Sequence, residues 1–425
     1  MVWKKWVCCL VILGCFLAWG APAALWAGEI DALHLLNLLK KKGVLTDQEA
    51  DEMIKEVRSN ARKEKTEIKS EIKEDLAKGS QKGDFLPKAL KGFTFGSTIF
   101  GEWNTKSVKN GKTTNDFNVN RAYITLKKEF TPWLDMRVTT DLFNSKDGDD
   151  KGNGLEVRMK YAYANLKLYG TSTEIGLVHT PSDDYDSSIW PYRVQGKHFL
   201  DNHGIQASAD LGIVNKGTFG GKLDPEYLNN VSNAFAGKWG GYMVGLYNGA
   251  GYDNTEANTD KAISGLIYVR PLSSVSILKG LQVAYVGNYG KSNANFTTAG
   301  KTGDYPDWQV NIGQISLQHK LFALMGQYYW GKGTKSSTEQ NDRSGYVGAG
   351  FLRIPGLEKA RVFGKVDFFD PNTNKSNDGY TTYIAGLSYD VTKELMPFIA
   401  YERRSYESST GADYDKVQVG FQLNF

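Results

Sequence analysis

The sequence predicts an all-β protein, an antiparallel up-and-down transmembrane β-barrel of about 16 strands with an N-terminal α-helical or coiled-coil segment. Segments such as 415–425, DKVQVGFQLNF, alternate apolar with polar residues, and this period of two gives a strand one apolar and one polar face. The polar connections between such segments are by turns long and short, which is typical of membrane barrels. The 46 glycines, 23 tyrosines, 20 phenylalanines and 10 tryptophans favour a β protein with aromatic belts over a helical enzyme.

Residues 1–27 have the pattern of a secretory signal peptide, which we expect to be removed in the mature protein. Lys4 and Lys5 precede an apolar run from Trp6 to Trp19, and small residues follow up to Ala27. The apolar run is too short for a membrane-spanning helix, and the small residues suit a cleavage site. We therefore expect the chain to be exported across the inner membrane.

The cysteines and the net charge exclude several functions. All three cysteines, Cys8, Cys9 and Cys15, lie within the predicted signal peptide, so the mature protein is expected to lack disulfides, catalytic thiolates and cysteine-bound metals. The formal net charge of the full chain is only +4, which gives no reason to expect nucleic acid as a partner. We predict no cofactor and no metal site, since the acidic stretch 147–154 has Lys151 where a calcium loop needs an oxygen ligand.

Residues 28–78 are predicted to form a periplasmic helical or coiled-coil segment. The stretch 30–42 fits a short amphipathic helix, and Thr46 and Glu49 have the spacing of a capping box. The longer helix that follows, up to about Lys78, carries a thin apolar stripe, which fits either a coiled-coil seam or a solvated, partly frayed helix. Residues 79–91 are predicted to be a linker, and residues 92–425 the barrel.

Sixteen candidate strands follow from the alternation. They are 92–104, 116–128, 133–143, 155–168, 172–179, 204–214, 238–251, 261–270, 281–290, 308–319, 321–331, 345–354, 360–369, 380–390, 396–406 and 415–425. The long connections are 105–115, 144–154, 291–307 and 371–379, and the tight ones are 128–132, 169–172, 354–360 and 391–395. Residues 215–237 are too long for the tight turn expected there, which leaves open an extra hairpin, giving 18 strands, or an inserted periplasmic segment.

The alternation also predicts which side chains face a water-filled interior. Charges of both signs lie at the positions between the apolar ones, and a charge that faces hydrocarbon near the midplane costs about 2 to 4 kcal/mol. The predicted pore-lining residues are Arg121, Tyr123, Asp135, Arg137, Arg361, Lys365, Asp367, Glu402 and Arg404. The fourth strand is ambiguous, because residues 155–161 favour one phase of the alternation and residues 162–168 favour the other.

The longest outer loop, residues 181–202, is the predicted constriction loop. It has an acidic half, an aromatic centre and a basic half. A loop with its own aromatic core can fold into the barrel, where its charges would set selectivity, or it can cap the outer mouth; we expect inward folding. The predicted constriction residues are Asp183, Asp184, Asp186, Trp190, Tyr192, Arg193, Lys197 and His198.

Several stretches carry a resemblance to a known family. They are VNRAYITLK at 119–127, GLVHTPSDDYDSSIWPYRVQGKHFLDNHG at 176–204, the helical N-terminal segment and the final Phe425. In these the chain resembles the bacterial outer-membrane porins of the phosphate-selective porin O and P family. The resemblance implies a sixteen-stranded homotrimer that passes small solutes. It does not carry phosphate selectivity over, because that property belongs to members with dense arginine and lysine in the pore, whereas the lumen predicted here has mixed charges.

The sequence therefore predicts a porin in the outer membrane of a Gram-negative bacterium, surrounded by lipid, that allows passive diffusion of small hydrophilic solutes or ions. An enzyme is not expected, because the histidines show no Ser-His or Asp-His neighbour pattern. The five histidines outside the signal peptide are His34, His179, His198, His203 and His319. A barrel that sheathes a multihaem cytochrome in an electron-transfer conduit remains an alternative, since the haems would belong to the partner. A contact of the helical segment with peptidoglycan or with a cytochrome also stays open.

Overall fold

The computed structural model describes residues 40–41, 46, 48–49, 51–56, 59, 92–145, 154–297, 303–408 and 411–425. The chain divides into two units, residues 1–91 and residues 92–425. The predicted signal peptide, most of the predicted helical segment and the predicted linker lie outside the described residues. Among the residues that are described, no helix is both long and apolar enough to cross a membrane.

The capping box predicted in the N-terminal unit is confirmed. The Thr46 amide donates to Glu49 Oε2 over 2.9 Å, and the Glu49 amide donates to Thr46 Oγ1 over 3.3 Å. Residues 51–56 behind this box are helical. The hydrogen bonds from the Thr46 hydroxyl and amide hold the pKa of the Glu49 carboxyl below its usual range, as expected for a carboxylate that accepts donors at a helix start.

The second unit is a closed antiparallel barrel, and the described residues contain the predicted number of strands, sixteen. The strands are β1 (Phe93–Val108), β2 (Thr113–Thr131), β3 (Leu134–Ser145), β4 (Gly154–Leu168), β5 (Thr171–His179), β6 (Ala209–Phe219), β7 (Gly240–Tyr247), β8 (Ala262–Val269), β9 (Leu281–Lys291), β10 (Asp307–His319), β11 (Phe322–Lys332), β12 (Asp342–Ile354), β13 (Leu357–Asp370), β14 (Tyr380–Tyr389), β15 (Leu395–Tyr406) and β16 (Tyr414–Asn424). Each strand pairs with its neighbours in the chain, and β1 pairs with β16. The predicted fold class is therefore confirmed.

Barrel closure satisfies the backbone groups of the first and last strands. The Ser97 amide donates to the Phe425 carbonyl over 2.8 Å, and the Phe425 amide donates back to the Ser97 carbonyl over 3.0 Å. The ladder continues from there to the pair Val108 and Tyr414. Closure leaves no sheet edge, which is a condition for strands in hydrocarbon, where no water is available to pair with free backbone groups.

The outer face of the barrel is apolar, as the alternation predicts. In β15 the side chain of Ile399 is 48% exposed, whereas that of Ala400 next to it is only 1% exposed. The same alternation recurs in β10, where Ile315 is exposed and Ile312 is buried. Large exposed apolar side chains around the whole circumference form a belt that suits contact with acyl chains.

One predicted loop is wrong. Residues 105–115 were expected to be a long connection, but β1 continues to Val108 and β2 begins at Thr113, so only residues 109–112 form the turn. Polar residues such as Thr105 and Asn115 pair across this hairpin, and Trp103 Nε1 donates to Asn115 Oδ1 over 2.7 Å. A polar stretch beyond the lipid can remain a strand, because both of its faces then meet water.

The other connections are closer to the prediction. Residues 371–379 link β13 to β14 as expected, and the tight turns are residues 132–133, 169–170, 355–356 and 390–394. The loops predicted at 144–154 and 291–307 lie partly outside the described residues. Between β6 and β7, residues 220–239 contain a short helix, Pro225–Asn230, and a single bridge between Lys222 and Gly237. The extra hairpin is therefore not present among the described residues, and the inserted segment is the correct alternative.

The ambiguous phase of the fourth strand has a structural cause. Thr139 pairs with Tyr161 while Thr140 pairs with Met159, so Lys160 is an extra residue in β4. Such a β-bulge shifts the side-chain alternation by one position. The side chains of Lys160 and Tyr161 are consequently both buried, at 3% and 8% exposure, although they are adjacent in the chain.

Candidate functional site

Residues 180–208, the connection between β5 and β6, lie inside the barrel and reach the opposite wall. Gln327 Nε2 on β11 donates to Asp186 Oδ1 over 2.7 Å, and Gln195 Nε2 of the loop donates to Glu402 Oε2 on β15 over 2.8 Å. Further hydrogen bonds join the loop to β9, β10, β14 and β16 through Gln282, Gln318, Ser388 and Gln418. The loop is thus folded inward rather than laid over the outer mouth.

The aromatic centre of the loop attaches it to β13. The loop contains two short helices, α1 (Pro181–Ser187) and α2 (Phe199–Asn202). Between them, the ring of Tyr192 stacks on the ring of Phe363 with centroids 4.0 Å apart, and Trp190 meets the same ring edge-on at 6.1 Å. All three side chains are buried. Aromatic burial of this kind is a large stabilising contribution, so it fixes the loop on one side of the lumen.

The acidic and basic halves of the loop pair with each other. Arg193 Nη1 lies 3.1 Å from Asp183 Oδ1 and 3.2 Å from Asp201 Oδ2, and Lys197 Nζ lies 3.3 Å from Asp201 Oδ1. Burial opposes the charge of Asp201, but the Arg193 guanidinium outweighs it and lowers the pKa of Asp201 to about 2. Burial likewise opposes the charge of Arg193, while Asp183 raises its pKa above the ordinary value. These charges are therefore retained at neutral pH.

Two predicted constriction residues are buried rather than facing a passage. Asp186 lies against β10 and β11, and burial raises the pKa of its carboxyl to about 7. His198 hydrogen-bonds to Ser187 Oγ over 2.9 Å, and burial lowers the pKa of its imidazole to about 3. His198 is consequently neutral at pH 7.

The end of the loop is held by a buried cluster on β13 and β14. His203 Nε2 lies 2.8 Å from Asp367 Oδ1, and His203 Nδ1 lies 2.8 Å from the Tyr380 hydroxyl. Lys365 Nζ lies 3.0 Å from Asp367 Oδ2, and the His203 ring stacks on Phe369 with centroids 4.3 Å apart. Lys365 and Asp367, two of the predicted pore-lining residues, are thus covered by the loop.

The wall formed by β2, β3 and β4 carries a row of cationic side chains. Arg121 Nη1 and Arg158 Nε lie 3.1 Å and 3.0 Å from Asp141 Oδ2. Further down the wall, Arg137 Nη1 lies 3.2 Å from His179 Nε2, and the Lys160 ammonium, placed inward by the bulge, hydrogen-bonds to the hydroxyl of Ser208. Because one carboxylate serves two of these four cations, the wall keeps a net positive charge.

A cavity of about 410 Å³ separates this wall from the loop. The wall side is contributed by β16 and β1 to β4, and the loop side by the segment between α1 and Arg193. The charged groups that line it are Arg137, Lys160, Asp183 and Arg193, and the other lining residues are Thr98, Phe100, Tyr123, Thr125, Thr139, Tyr161, Ser187, Trp190, Pro191, Gln422 and Asn424. Because the cavity is bordered by the inner face of the strands on one side and by the inward loop on the other, it is the candidate passage.

The predicted site residues divide into several groups. Tyr123, Arg137, Asp183, Trp190 and Arg193 line the cavity. Arg121 binds Asp141 beside it, whereas Asp135 pairs with Lys167, Arg361 pairs with Asp390, and Arg404 donates to Thr382 Oγ1 away from it. Glu402 and Asp367 hydrogen-bond to the loop from the wall, and Lys365 is buried beside Asp367. Asp186 and Tyr192 hydrogen-bond to the wall from the loop, whereas His198 is buried and bonds to Ser187 within the loop. Asp184 is half-buried, and Lys197 is exposed on the loop. Their role in lining a pore remains a prediction.

Several residues that line the cavity, or that hold the loop against the wall, were not predicted. Lys160 and Tyr161 were missed because a regular alternation places only one of two adjacent residues inside, and the bulge was visible in the sequence only as a phase change. His203 and Gln195 were missed because their partners, Asp367 and Glu402, lie more than 160 residues away. No local pattern identifies such pairs.

The comparisons with known proteins find similarity in fold. No protein-family model matches the chain, and no curated protein matches it. Among solved structures, an anion-selective porin from Comamonas acidovorans is similar with a TM-score of 0.54 and 12% identity, over 78% of this chain and 99% of that one. OprB of Pseudomonas putida has a TM-score of 0.53 and 10% identity, over 79% of this chain and 94% of that one. OmpT of Vibrio cholerae in its trimer form has a TM-score of 0.51 and 11% identity, over 78% of this chain and 99% of that one. At these identities the comparisons support the barrel fold.

Proposed function

We propose that this protein is a porin of the Gram-negative outer membrane that lets small hydrophilic solutes or ions diffuse passively through its barrel. The observation that carries the proposal is the charged cavity between the inward loop and the wall of β1 to β4, enclosed by a barrel whose outer face is apolar. The porins among the structural neighbours support it. A channel rather than an enzyme follows from the same reasoning, and membership of the phosphate-selective porin O and P family remains a prediction.

The charges of the cavity suggest a mild preference for anions. Arg137, Lys160 and Arg193 line it together with a single carboxylate, Asp183. A narrow passage with an excess of one sign of charge concentrates the opposite ion. We therefore propose weak anion selectivity for small solutes, without a committed binding site for phosphate.

Conductance in a planar lipid bilayer tests the proposal directly. The mature protein, folded into detergent and added to one side, should give discrete conductance steps, and a salt gradient should give a reversal potential on the anion side. Correctly folded protein that inserts into vesicles but carries no ion current would overturn the porin assignment. That result, together with co-purification of a cytochrome, would instead favour a sheath for an electron-transfer partner.

We propose a homotrimer as the assembly. OmpT of Vibrio cholerae, one of the structural neighbours, is described in a trimer form, and the resemblance noted above also implies three protomers. Chemical cross-linking in outer membranes and light scattering in detergent should both give three chains per particle, and conductance should change in groups of three equal steps. A particle of one chain in both measurements would contradict the trimer and leave the channel assignment intact.

A further inference from the structure

Two segments enter the barrel from opposite ends and meet in its interior. One is the inward loop, residues 180–208, and the other is the connection between β6 and β7, residues 220–239. Successive connections of an up-and-down barrel lie at alternate ends. The rings of Tyr185 in α1 and Phe235 in the connection meet edge-to-face, with centroids 5.1 Å apart and an interplanar angle of 86°. Tyr268 of β8 completes the cluster at 5.7 Å from Tyr185 and 5.8 Å from Phe235.

The connection between β6 and β7 contains a capped helix and is held to the end of β8 by side-chain hydrogen bonds. Asp224 caps the helix Pro225–Asn230 by accepting the Tyr227 amide over 3.1 Å, and Lys279 Nζ lies 2.5 Å from the same carboxylate. Arg270, just after β8, is buried and donates to the carbonyls of Phe235 over 3.1 Å and Lys279 over 3.2 Å. These two hydrogen bonds and a third, from Arg270 Nη1 to the Tyr227 hydroxyl over 3.4 Å, tie the connection to the end of β8 beside Phe235.

Phe235 adopts a backbone conformation that a bulky residue ordinarily avoids. Its φ is +48°, in the left-handed region where a Cβ is crowded and where glycine is the usual choice. A residue keeps a strained backbone conformation only when the interactions around it are strong enough to hold it there. Here the surrounding structure holds the ring against Tyr185, and glycine would lose that contact.

Tyr185 links this contact to the candidate passage. It lies on the buried side of α1, where its hydroxyl donates to Gln282 Oε1 over 3.3 Å, and its helix neighbour Asp186 accepts from Gln327. Asp183 and Ser187, which flank Tyr185 two residues away on either side, line the cavity. In a helix of seven residues, a shift of the buried side moves the opposite side by the same amount.

We propose that residues 220–239 are a brace for the inward loop, with Phe235 as the positioning residue that sets the width of the passage and the voltage at which it closes. The proposal rests on the porin function proposed above. The brace contacts α1 on the side away from the cavity, and the lining of the cavity includes no residue of the brace. It acts by limiting the freedom of Asp183 and Ser187, which do line the passage.

The test compares three single variants in planar bilayers. Phe235→Gly removes the ring and relaxes the strained backbone, so the barrel should fold normally. We expect at least a twofold increase in open-channel current noise and closure at a lower voltage. Phe235→Tyr keeps the ring and should behave like the natural protein. Trp239→Ala removes an aromatic side chain of the same connection that is 62% exposed, and it should leave noise and closing voltage unchanged.

A second measurement separates failure of the brace from failure of the porin function. Hydrogen exchange of the loop peptide 181–190, recorded on the full-length protein in detergent, should rise several-fold in Phe235→Gly and stay unchanged in Trp239→Ala. Tyr185→Leu should raise the exchange as much as Phe235→Gly, and the double variant should add little to either, because both remove one contact. Unchanged exchange and noise in Phe235→Gly would overturn the brace while leaving the porin in place. Absence of current from the natural protein would overturn the porin function, while the exchange comparison would still decide the brace.

Discussion

The interior of this barrel has two unlike walls. The wall of β9 to β14 carries apolar side chains on its inner face, such as Ile312 and Phe363, together with amides such as Gln327, and the inward loop packs against it. The wall of β1 to β4 carries Arg137 and Lys160 and borders the open cavity. The difference teaches that inner apolar positions mark where a barrel is filled with protein, whereas a cluster of inner cations with few carboxylate partners marks the border of the remaining cavity.

The largest expected effect comes from removing an aromatic ring from the wall against which the loop packs. Phe363→Ala removes the ring on which Tyr192 stacks, and loss of a buried aromatic ring lowers the free energy of unfolding by about 3 to 5 kcal/mol. Urea unfolding in lipid vesicles, followed by tryptophan fluorescence, measures it. Val362→Ala is the matched control, because Val362 is the neighbouring side chain on the lipid face. Equal losses in both variants would mean that the loop contributes no packing energy.

The carboxyl of Asp186 on the filled side should make stability depend on pH. Its pKa rises from 3.8 to about 7 through burial, so the native state binds a proton that the unfolded state has already lost between these values. The stabilisation is fully present below pH 3.8 and is lost as the pH rises through about 7, with a slope of up to about 1.4 kcal/mol per pH unit. Asp186→Asn should flatten the unfolding free energy over this range. If the pH dependence of the unfolding free energy were the same in Asp186→Asn, another titrating group would be its cause.

On the open wall, reversing one charge should alter selectivity without unfolding the barrel. Arg137→Glu places a carboxylate in the cavity, and one charge in a hydrated site is worth about 1 kcal/mol, which corresponds to roughly a fivefold change in the anion-to-cation permeability ratio. Reversal potentials under a salt gradient measure this ratio. Lys365→Gln, on the covered wall, should reduce stability and leave the ratio nearly unchanged. If Lys365→Gln changed the permeability ratio and Arg137→Glu did not, the passage would lie along the wall of β9 to β14 and not along the wall of β1 to β4.

The smallest effect is expected at the exposed edge of the loop. Lys197 precedes α2, pairs with Asp201 of that helix and is half exposed, so Lys197→Gln should lower the unfolding free energy by only about 0.2 to 1 kcal/mol. The same urea titration measures it. A loss of several kcal/mol would show that the basic half of the loop is anchored more firmly than its exposure indicates.

The strands of the barrel were predictable because each strand has an alternation of apolar and polar residues within a short stretch of sequence. The strands were inferred from their alternation and from the turn residues and polar runs between them, and the strand count holds in the described barrel. The connection 105–115 was wrong, because a strand that rises above the lipid loses the apolar face on which the prediction depends. The phase of β4 was undecided for a related reason, since a bulge at Lys160 changes which face a residue takes without changing its chemistry.

The candidate site was predictable only in part. The sequence indicated which loop is long and aromatic, and it placed Arg137, Asp183 and Arg193 in the interior, where they line one cavity. It did not indicate that Asp186 and His198 are buried, nor that Lys365 and Asp367 lie under the loop. Alternation separates the inside of a barrel from the outside, but it does not separate a wetted inner position from a covered one.

The amino-acid sequence by itself determined that this chain forms paired strands with one apolar face, because the pleat imposes a period of two that any short window records. The tertiary structure alone decided which half of the interior is filled, which charges meet, and where Phe235 touches Tyr185. Those contacts join segments that are far apart in the chain, and they exist only once closure of the ladder between β1 and β16 has fixed the distance across the barrel.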